Sequence, residues 1–380
     1  MKAYSENWVE NLKFKSKLNS WFKSGQLNQE ELSKGNEYFK EDFYKPNWFI
    51  LMGLFLFTNI AVSFTTTFFL AMVGILDSKI GLSIALIIVS AGSFIALEFF
   101  IKSKNLYRSG IDNALLYLAL GFFYSSILLF FDFSLPFYYY PLLLFFILIP
   151  AFIRYADPLV AIAMFFSFFV FVFLFATTFS IGKTILPFLL MSLAASVYFI
   201  SKSRLISFYF EDVQQIIKTL SLIVFYLAGN YLVVREANAV LNNNSPSVEI
   251  PFGILFWVFT FSIPFAYIYI GMQKKDRKSI IIGLLAFGFS IFTFRYYHSV
   301  LLLEWALTLG GLVLIGFSIF VLKYFKTPKF NLSSEVSEAN KFSKLESILA
   351  AQAFQANSTS NDTLKMGGGD FGGGGSEQSY

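Results

Sequence analysis

Cysteine is missing from the 380-residue chain, and histidine occurs once, at His298. Disulfides, thiolate nucleophiles, iron–sulfur ligation and Cys/His zinc sites are thereby excluded, and no cofactor or metal is expected. Charge is also scarce, at 14% of residues, where an average soluble domain carries about 25%. The excess charge of +5 is ordinary and gives no reason to expect a nucleic-acid partner. What the chain has in abundance is apolar: 56% of residues are hydrophobic, with 51 Phe, 20 Tyr and 5 Trp. That composition argues against a soluble, a disordered or a disulfide-stapled protein. It leaves an all-α, polytopic transmembrane helix bundle.

The charges are unevenly placed. Of 53 charged residues, 26 sit in the two terminal segments, 1–46 and 326–380. The rest fall almost entirely between apolar runs, as a bilayer requires when each buried charge costs several kcal/mol. Three regions follow: 1–46 outside the bilayer, 47–325 within it, and a tail at 326–380.

A spanning helix needs roughly 20 mainly apolar residues. The sequence predicts about ten spans, near 48–74, 80–101, 111–131, 137–153, 158–179, 184–201, 216–234, 250–272, 279–294 and 299–322. The first 46 residues are polar and mixed in charge, so no signal peptide is expected and the first span is an uncleaved anchor. The even-numbered connections carry 11 Lys and Arg, from Lys102 to Lys278, whereas the odd-numbered ones carry four: Lys79, Lys183, Arg235 and Arg295. By the positive-inside rule the even connections are cytoplasmic, and so are both termini. The turn Arg154-Tyr-Ala-Asp157-Pro158 is very short, and a re-entrant hairpin is an alternative there. Trp48, Phe137 to Tyr140, Tyr155, Tyr296, Tyr297 and Tyr324 are expected as interfacial belt anchors.

Residues 5–23 fit a helix with a broad apolar face formed by Trp8, Leu12, Leu18, Trp21 and Phe22. Gly25 is placed to end it. Asn28 and Glu31 then make a capping-box pair, with Leu27 and Leu32 at the staple positions, for a second helix to about Asp42. This small cytosolic helical hairpin is too short to bury a core alone. It should pack on the membrane domain, on lipid or on a protein partner. Lys13, Lys15, Lys17 and Lys23 form either a solvated face or a contact to anionic headgroups. A helix-turn-helix reading fails for want of a third helix.

The stretch Trp21-Phe-Lys-Ser-Gly25-Gln-Leu27-Asn-Gln-Glu30-Glu-Leu32 resembles the opening of the bacterial domain-of-unknown-function 2157 family. Those proteins pair a short "Gly, apolar, two spacers, acid" helical segment with many transmembrane helices. Phe294-Arg295-Tyr296-Tyr297, followed by a Gly310-Gly311 apolar helix, is similar to that family's end. The resemblance is one of layout over residues 15–325. It implies an architecture in a bacterial cytoplasmic (inner) membrane and no chemistry, since the family has no assigned catalytic residues to carry over.

Glu335 to Phe354 fits one amphipathic helix. The run Gly367-Gly-Gly-Asp-Phe371-Gly-Gly-Gly-Gly-Ser376 is expected to be a disordered, Gly-rich C-terminal tail. It is no phosphate loop, lacking Gly-Lys-Ser/Thr and the flanking strand and helix. It is similar to tails on some other bacterial membrane-tethered proteins, where it would be a recognition tag for a protease or partner. A plain flexible tail is the simpler reading.

Ionisable residues inside spans are the default site candidates. Glu98 lies near the inner end of span two, and Lys102 follows at the favourable i,i+4 spacing. The pair is either structural or an inner-side proton or cation site. Glu304 lies inside the outer end of span ten, with Arg295 and His298 leading into it, while Arg235 and Asn230 face the same side from span seven. If these spans pack together, Arg235 or Arg295 pairs with Glu304 beside His298 and Asn230. That arrangement is either one structural ion pair, a pocket for an anionic or zwitterionic ligand, or a site of proton coupling through Glu304 and His298.

No catalytic set is evident. Ser290 and His298 are eight residues apart, roughly 12 Å on one helix, and cannot form a dyad. No Gly-x-Ser-x-Gly elbow occurs. No internal repeat marks a transporter, and Pro141, Pro150, Pro187 and Pro264 are each tolerable in a span. Gly81/Ala85 and Gly92/Ala96 predict close packing of span two, placing it centrally in the bundle. The expected function is non-enzymatic: binding of a partner protein or lipid, with contacts through the N-terminal hairpin or the tail. The alternative is a secondary transporter of a small anionic or zwitterionic solute, with Glu304 as coupling site.

Overall fold

The computed structural model describes residues 2–74, 78–202, 207–244 and 246–298, with single positions between 308 and 323. Glu304, Tyr324, most of the expected tenth span and the whole tail lie outside the described residues. Two compact units emerge: Met1–Leu12 with Glu41–Val336, and Lys13–Lys40 with Ser337–Tyr380. Among the described residues all regular structure is helical. The helices are α1 (Glu6–Lys23), α2 (Gln29–Tyr38), α3 (Trp48–Val73), α4 (Lys79–Lys104), α5 (Ile111–Phe131), α6 (Tyr139–Tyr155), α7 (Pro158–Thr177), α8 (Ser180–Ser201), α9 (Glu211–Gly229), α10 (Tyr231–Leu241), α11 (Gly253–Lys274) and α12 (Arg277–Tyr297).

In the smaller unit, Gly25 adopts a left-handed φ of +72° after α1. The Asn28 side chain then accepts from Glu31 N at 2.8 Å, while Glu31 Oε2 accepts from Asn28 N at 2.9 Å. This is the capping box read from the sequence. α2 stops at Tyr38, short of Asp42, with Phe39 capping it. Phe14 stacks on Phe39 at 4.9 Å, and Leu18 and Leu27 are buried.

In the larger unit, α3, α4, α5, α7, α8, α11 and α12 are each long and apolar enough to cross a membrane. Their outer faces stay apolar where nothing covers them: Phe49, Phe57, Ile95, Ile254 and Leu285 are all exposed. Large contiguous apolar surface of this kind needs a lipid solvent. The seven helices fit a polytopic membrane protein.

Local chemistry sets the helix ends. Asn47 caps α3, accepting from Ile50 N at 2.9 Å, and Ser78 caps α4, accepting from Gly81 N at 3.1 Å. Gly110, ahead of α5, sits at φ +97°, and a Cβ there would lie 2.4 Å from Leu51 O. Only glycine meets both demands. α4 and α5 are zipped by Ser83 Oγ donating to Ser126 O and Ser90 Oγ donating to Ala119 O, both at 2.8 Å. The expected small-residue contact is thus carried by Ser83, Ala85 and Ser90. Gly92 faces open space and takes no part.

Two expectations need correction, whereas α6 has the 17 residues expected of span four and is shorter than the seven long helices. It turns back into α7 through Ala156 and Asp157, and the hairpin is antiparallel, with Tyr138 against Phe175 at 5.5 Å. Span seven is not one helix: α9 and α10 meet at a 70° bend. The break falls at Asn230, where there is no proline, while Pro150, Pro187 and Pro264 sit inside unbroken helices. Finally, Tyr140 and Tyr155 are interior rather than belt residues. Their hydroxyls have partners there: Tyr140 Oη accepts from Leu135 N, and Tyr155 donates to Glu98.

Candidate functional site

Several charged side chains meet where the end of α4, the start of α5 and the end of α6 come together. Glu98, six residues before the end of α4, does not pair with Lys102, which is exposed. Arg154, at the end of α6, donates through Nε to Glu98 Oε1 and through Nη2 to Oε2, both at 2.7 Å. Tyr155 adds a 2.6 Å hydrogen bond to Oε1. The planar guanidinium fork matches a carboxylate at two points, which a lysine ammonium cannot do. That geometry explains why the i,i+4 lysine loses to a residue 56 positions away.

Next to this pair, Tyr4 donates to Asp112 Oδ2 at 2.9 Å. Asp112, only 1% exposed, also accepts from Arg108 N, Ser109 N and Ser109 Oγ. Burial, then the Asp112 charge, hold the Tyr4 hydroxyl well above its ordinary range. Tyr4 therefore stays a neutral donor. Ala3 N and the Tyr209 hydroxyl both donate to Arg154 O, at 2.9 and 2.6 Å, so the extreme N-terminus is stitched to the α6–α7 turn. Asp157 caps α7 by accepting from Leu159 N and Val160 N, and takes further bonds from Asn113 and Tyr117. Arg108 reaches Asp212 at 2.9 Å.

Between α4, α5 and α6 a groove of about 760 Å³ runs from this polar head along apolar walls. Phe94, Leu120, Phe146 and Pro150 line it, and Glu98, Arg154 and Tyr155 close its end.

The second polar cluster surrounds the helix break. Asn230 is fully buried and caps α10, accepting from Val233 N at 3.2 Å. Its Nδ2 donates to the Tyr226 hydroxyl and to Thr293 Oγ1, both at 3.1 Å. Thr260 Oγ1 accepts from Tyr231 N, a backbone group freed by the break. Ser290 hydrogen-bonds Tyr226 and donates to Thr260 O, so it serves packing and has no nucleophile geometry towards His298. His298 is exposed, its ring near Phe294 and Trp257. Arg235 donates to the Tyr231 hydroxyl at 3.0 Å and to Ser247 O at 2.9 Å, with Glu249 at 3.7 Å. The expected partner Glu304 lies outside the described residues. Among the described residues, Arg235 Nε and Arg295 Nη1 are buried without a hydrogen-bond partner. Of the predicted outer set, Asn230 sits at the junction of α9 and α10 and Arg235 follows within α10, its guanidinium 4.6 Å from the centre of the Tyr297 ring.

The sequence missed Arg154, Tyr155, Tyr4, Asp112 and Asp157. Only Asp157-Pro158 carried a local signal, as a cap followed by proline. No three His, Cys, Asp or Glu side chains converge as a metal-binding set among the described residues. No protein-family model, no curated protein and no solved structure matches the chain.

Proposed function

We propose that the chain is a non-enzymatic, multi-pass protein of a bacterial cytoplasmic membrane that binds a zwitterionic lipid-like amphiphile in the groove between α4, α5 and α6. The observation that carries this is the pairing of long apolar walls with a compact charged head. Glu98 and Arg154 together are neutral, and each presents one sign. An ammonium suits the carboxylate and a phosphate suits the guanidinium. The positive-inside pattern supports a cytoplasmic position for this head, in a bundle of about ten spans with both termini inside. The 1–46 hairpin is then available for a protein partner.

Native mass spectrometry of delipidated protein with added phosphatidylethanolamine tests the reading. Ala91 lines the groove and is exposed. Ala91→Trp should fill the groove and lower retention at least tenfold while the protein stays folded. Undiminished retention would refute the assignment.

A second reading has its own support. Broken helices hold substrate sites in many transporters, and the 70° break at Asn230 brings two incompletely bonded arginines into the same bundle. In that reading an anionic or zwitterionic solute meets Arg235 and Arg295, with Glu304 as the coupling acid. Counterflow in proteoliposomes should then fail in Arg235→Gln and in Glu304→Gln. Flux unchanged in both variants would remove transport from consideration.

A further inference from the structure

A second ligand site emerges between α8, α9, α11 and α12, sharing no residue with the groove. Four lysines from four elements line one pocket of about 230 Å³: Lys202 after α8, Lys218 in α9, Lys274 ending α11 and Lys278 opening α12. Among the described residues Asp276 is the only carboxylate in its wall, so these five side chains carry a net charge of +3. That carboxylate is already engaged in capping α12, with Oδ1 accepting from Lys278 N at 3.0 Å and Oδ2 from Ser279 Oγ at 2.8 Å. Among the described residues none of the four lysines forms an ion pair. Lys202 and Lys274 lie near enough to disfavour each other's charge, with Asp276 opposing that effect at Lys274.

Four ammonium groups around one cavity, with a single carboxylate that already caps a helix, leave an excess of positive charge that an anion would offset. The positive-inside bias accounts for lysines at this membrane face. It does not account for four of them around one cavity.

A second feature identifies the anion. The lysine pocket opens into an apolar slot of about 330 Å³, and the two share Tyr198, Lys202, Leu222, Lys274 and Ser279. Phe225, Ile263, Ala266 and Ile270 line the slot beyond. A free phosphate would use only the first chamber. A phospholipid uses both, with its phosphate among the lysines and an acyl chain along the slot. Basic pockets between transmembrane helices hold acidic headgroups in this way.

We propose that Lys202, Lys218, Lys274 and Lys278 form a binding site for one anionic phospholipid, whose acyl chain occupies the slot bounded by Phe225, Ile263 and Ala266. The contrast with the groove is one of charge: a neutral ion pair there, a threefold positive pocket here.

The test is native mass spectrometry of the full chain titrated separately with phosphatidylglycerol, phosphatidylcholine and inorganic phosphate. Wild type should bind phosphatidylglycerol in preference to phosphatidylcholine. Each lysine near a membrane surface is worth about fivefold in affinity, so Lys218→Gln/Lys278→Gln should lower phosphatidylglycerol binding about 30-fold. Lys218→Arg/Lys278→Arg should keep it, which separates loss of charge from loss of fold. Ala266→Phe should fill the slot and weaken the lipid at least tenfold with the lysines intact. Equal binding of the two lipids by wild type would overturn the proposal, as would an unchanged preference in the double Gln variant. Saturable inorganic phosphate binding with no effect of Ala266→Phe on the lipid would overturn the lipid assignment in favour of a free anion. Failure of the Ala91→Trp experiment leaves these outcomes untouched.

Discussion

Glu98→Gln keeps the shape of the side chain and removes its charge, and so isolates the ion pair at the head of the groove. In the native protein the carboxylate accepts from Arg154 Nε and Nη2 at 2.7 Å and from the Tyr155 hydroxyl at 2.6 Å. Removing one partner of a fully buried pair costs about 3–5 kcal/mol, whereas an exposed pair contributes about 0–1 kcal/mol. The Glu98 and Arg154 side chains are 24% and 36% exposed. The pair lies between those limits, and about 2 kcal/mol is expected for Glu98→Gln or for Arg154→Met alone. The two positions touch, so their effects should not add, and a double-mutant cycle should return about 1.5 kcal/mol of coupling. Lys102→Met, at an exposed position, should cost under about 0.5 kcal/mol and show no coupling to Glu98. Reversible unfolding in mixed micelles of rising dodecyl sulfate fraction supplies each free energy. Coupling below about 0.3 kcal/mol between Glu98 and Arg154, or coupling to Lys102 of equal size, would refute the reasoning.

Three other substitutions probe the remaining framework. Tyr4→Phe removes one of four donors to Asp112 and should cost about 1 kcal/mol near neutral pH. Because the folded-state value of Tyr4 is raised, its contribution is complete below the unfolded tyrosine value of about 10 and declines as pH rises past it. Unfolding followed from pH 8 to 11 should therefore show the gap between wild type and Tyr4→Phe closing on the alkaline side, and a constant gap would count against the buried hydroxyl. Gly110→Ala meets both a φ of +97° and the Leu51 carbonyl. It should cost about 3 kcal/mol or more, read as lost yield of folded monomer. Asn230→Ala leaves the first turn of α10 uncapped and two hydroxyls short of a partner. A loss of about 2 kcal/mol is expected in the same micelle assay, and a loss under about 0.5 kcal/mol would mean that the break is held elsewhere.

What could be read from the sequence is what depends on near neighbours. The Asn28–Glu31 capping box spans three residues, and its geometry follows from that spacing alone. The long apolar runs are equally legible, because a bilayer imposes one length on them. Partner choice between helices is not. Glu98 has a lysine four residues on and an arginine 56 residues on, and only the fold shows that the second reaches it with the better fork. Tyr4 lay in a polar flank with no periodic signal, yet Ala3 bonds to Arg154 O beside the α6–α7 turn and Tyr4 to Asp112 at the base of α5. The helix break was half legible. Gly229-Asn230 is a stop followed by a cap, a stronger punctuation than any of the four prolines. Apolar residues continue through Tyr231 to Val234, and that continuity hid it. Gly229 is buried against Met191 and Ile263, and the Tyr231 amide goes to Thr260, so the break is fixed by α8 and α11.

The larger unit solves its interior polar problem in two different ways, and this bears on function. At the ends of α4 and α6 it uses charges, with Glu98, Asp112 and Asp157 each held by several donors. At the break between α9 and α10 it uses amides and hydroxyls, with Asn230, Tyr226, Thr260, Ser290 and Thr293 satisfying one another. A neutral, mutually bonded network seals the freed backbone without creating a charged binding point. The polar core of the break is therefore structural, and a solute would have to engage the arginines beside it. At the charged end the reverse holds. A carboxylate and a guanidinium stand at the head of an apolar groove, where the proposed zwitterion would meet both without any helix moving. Binding at that end would need only the arrangement already present, whereas transport through the break would need its helices to move. The smaller requirement favours the proposed lipid binding over transport.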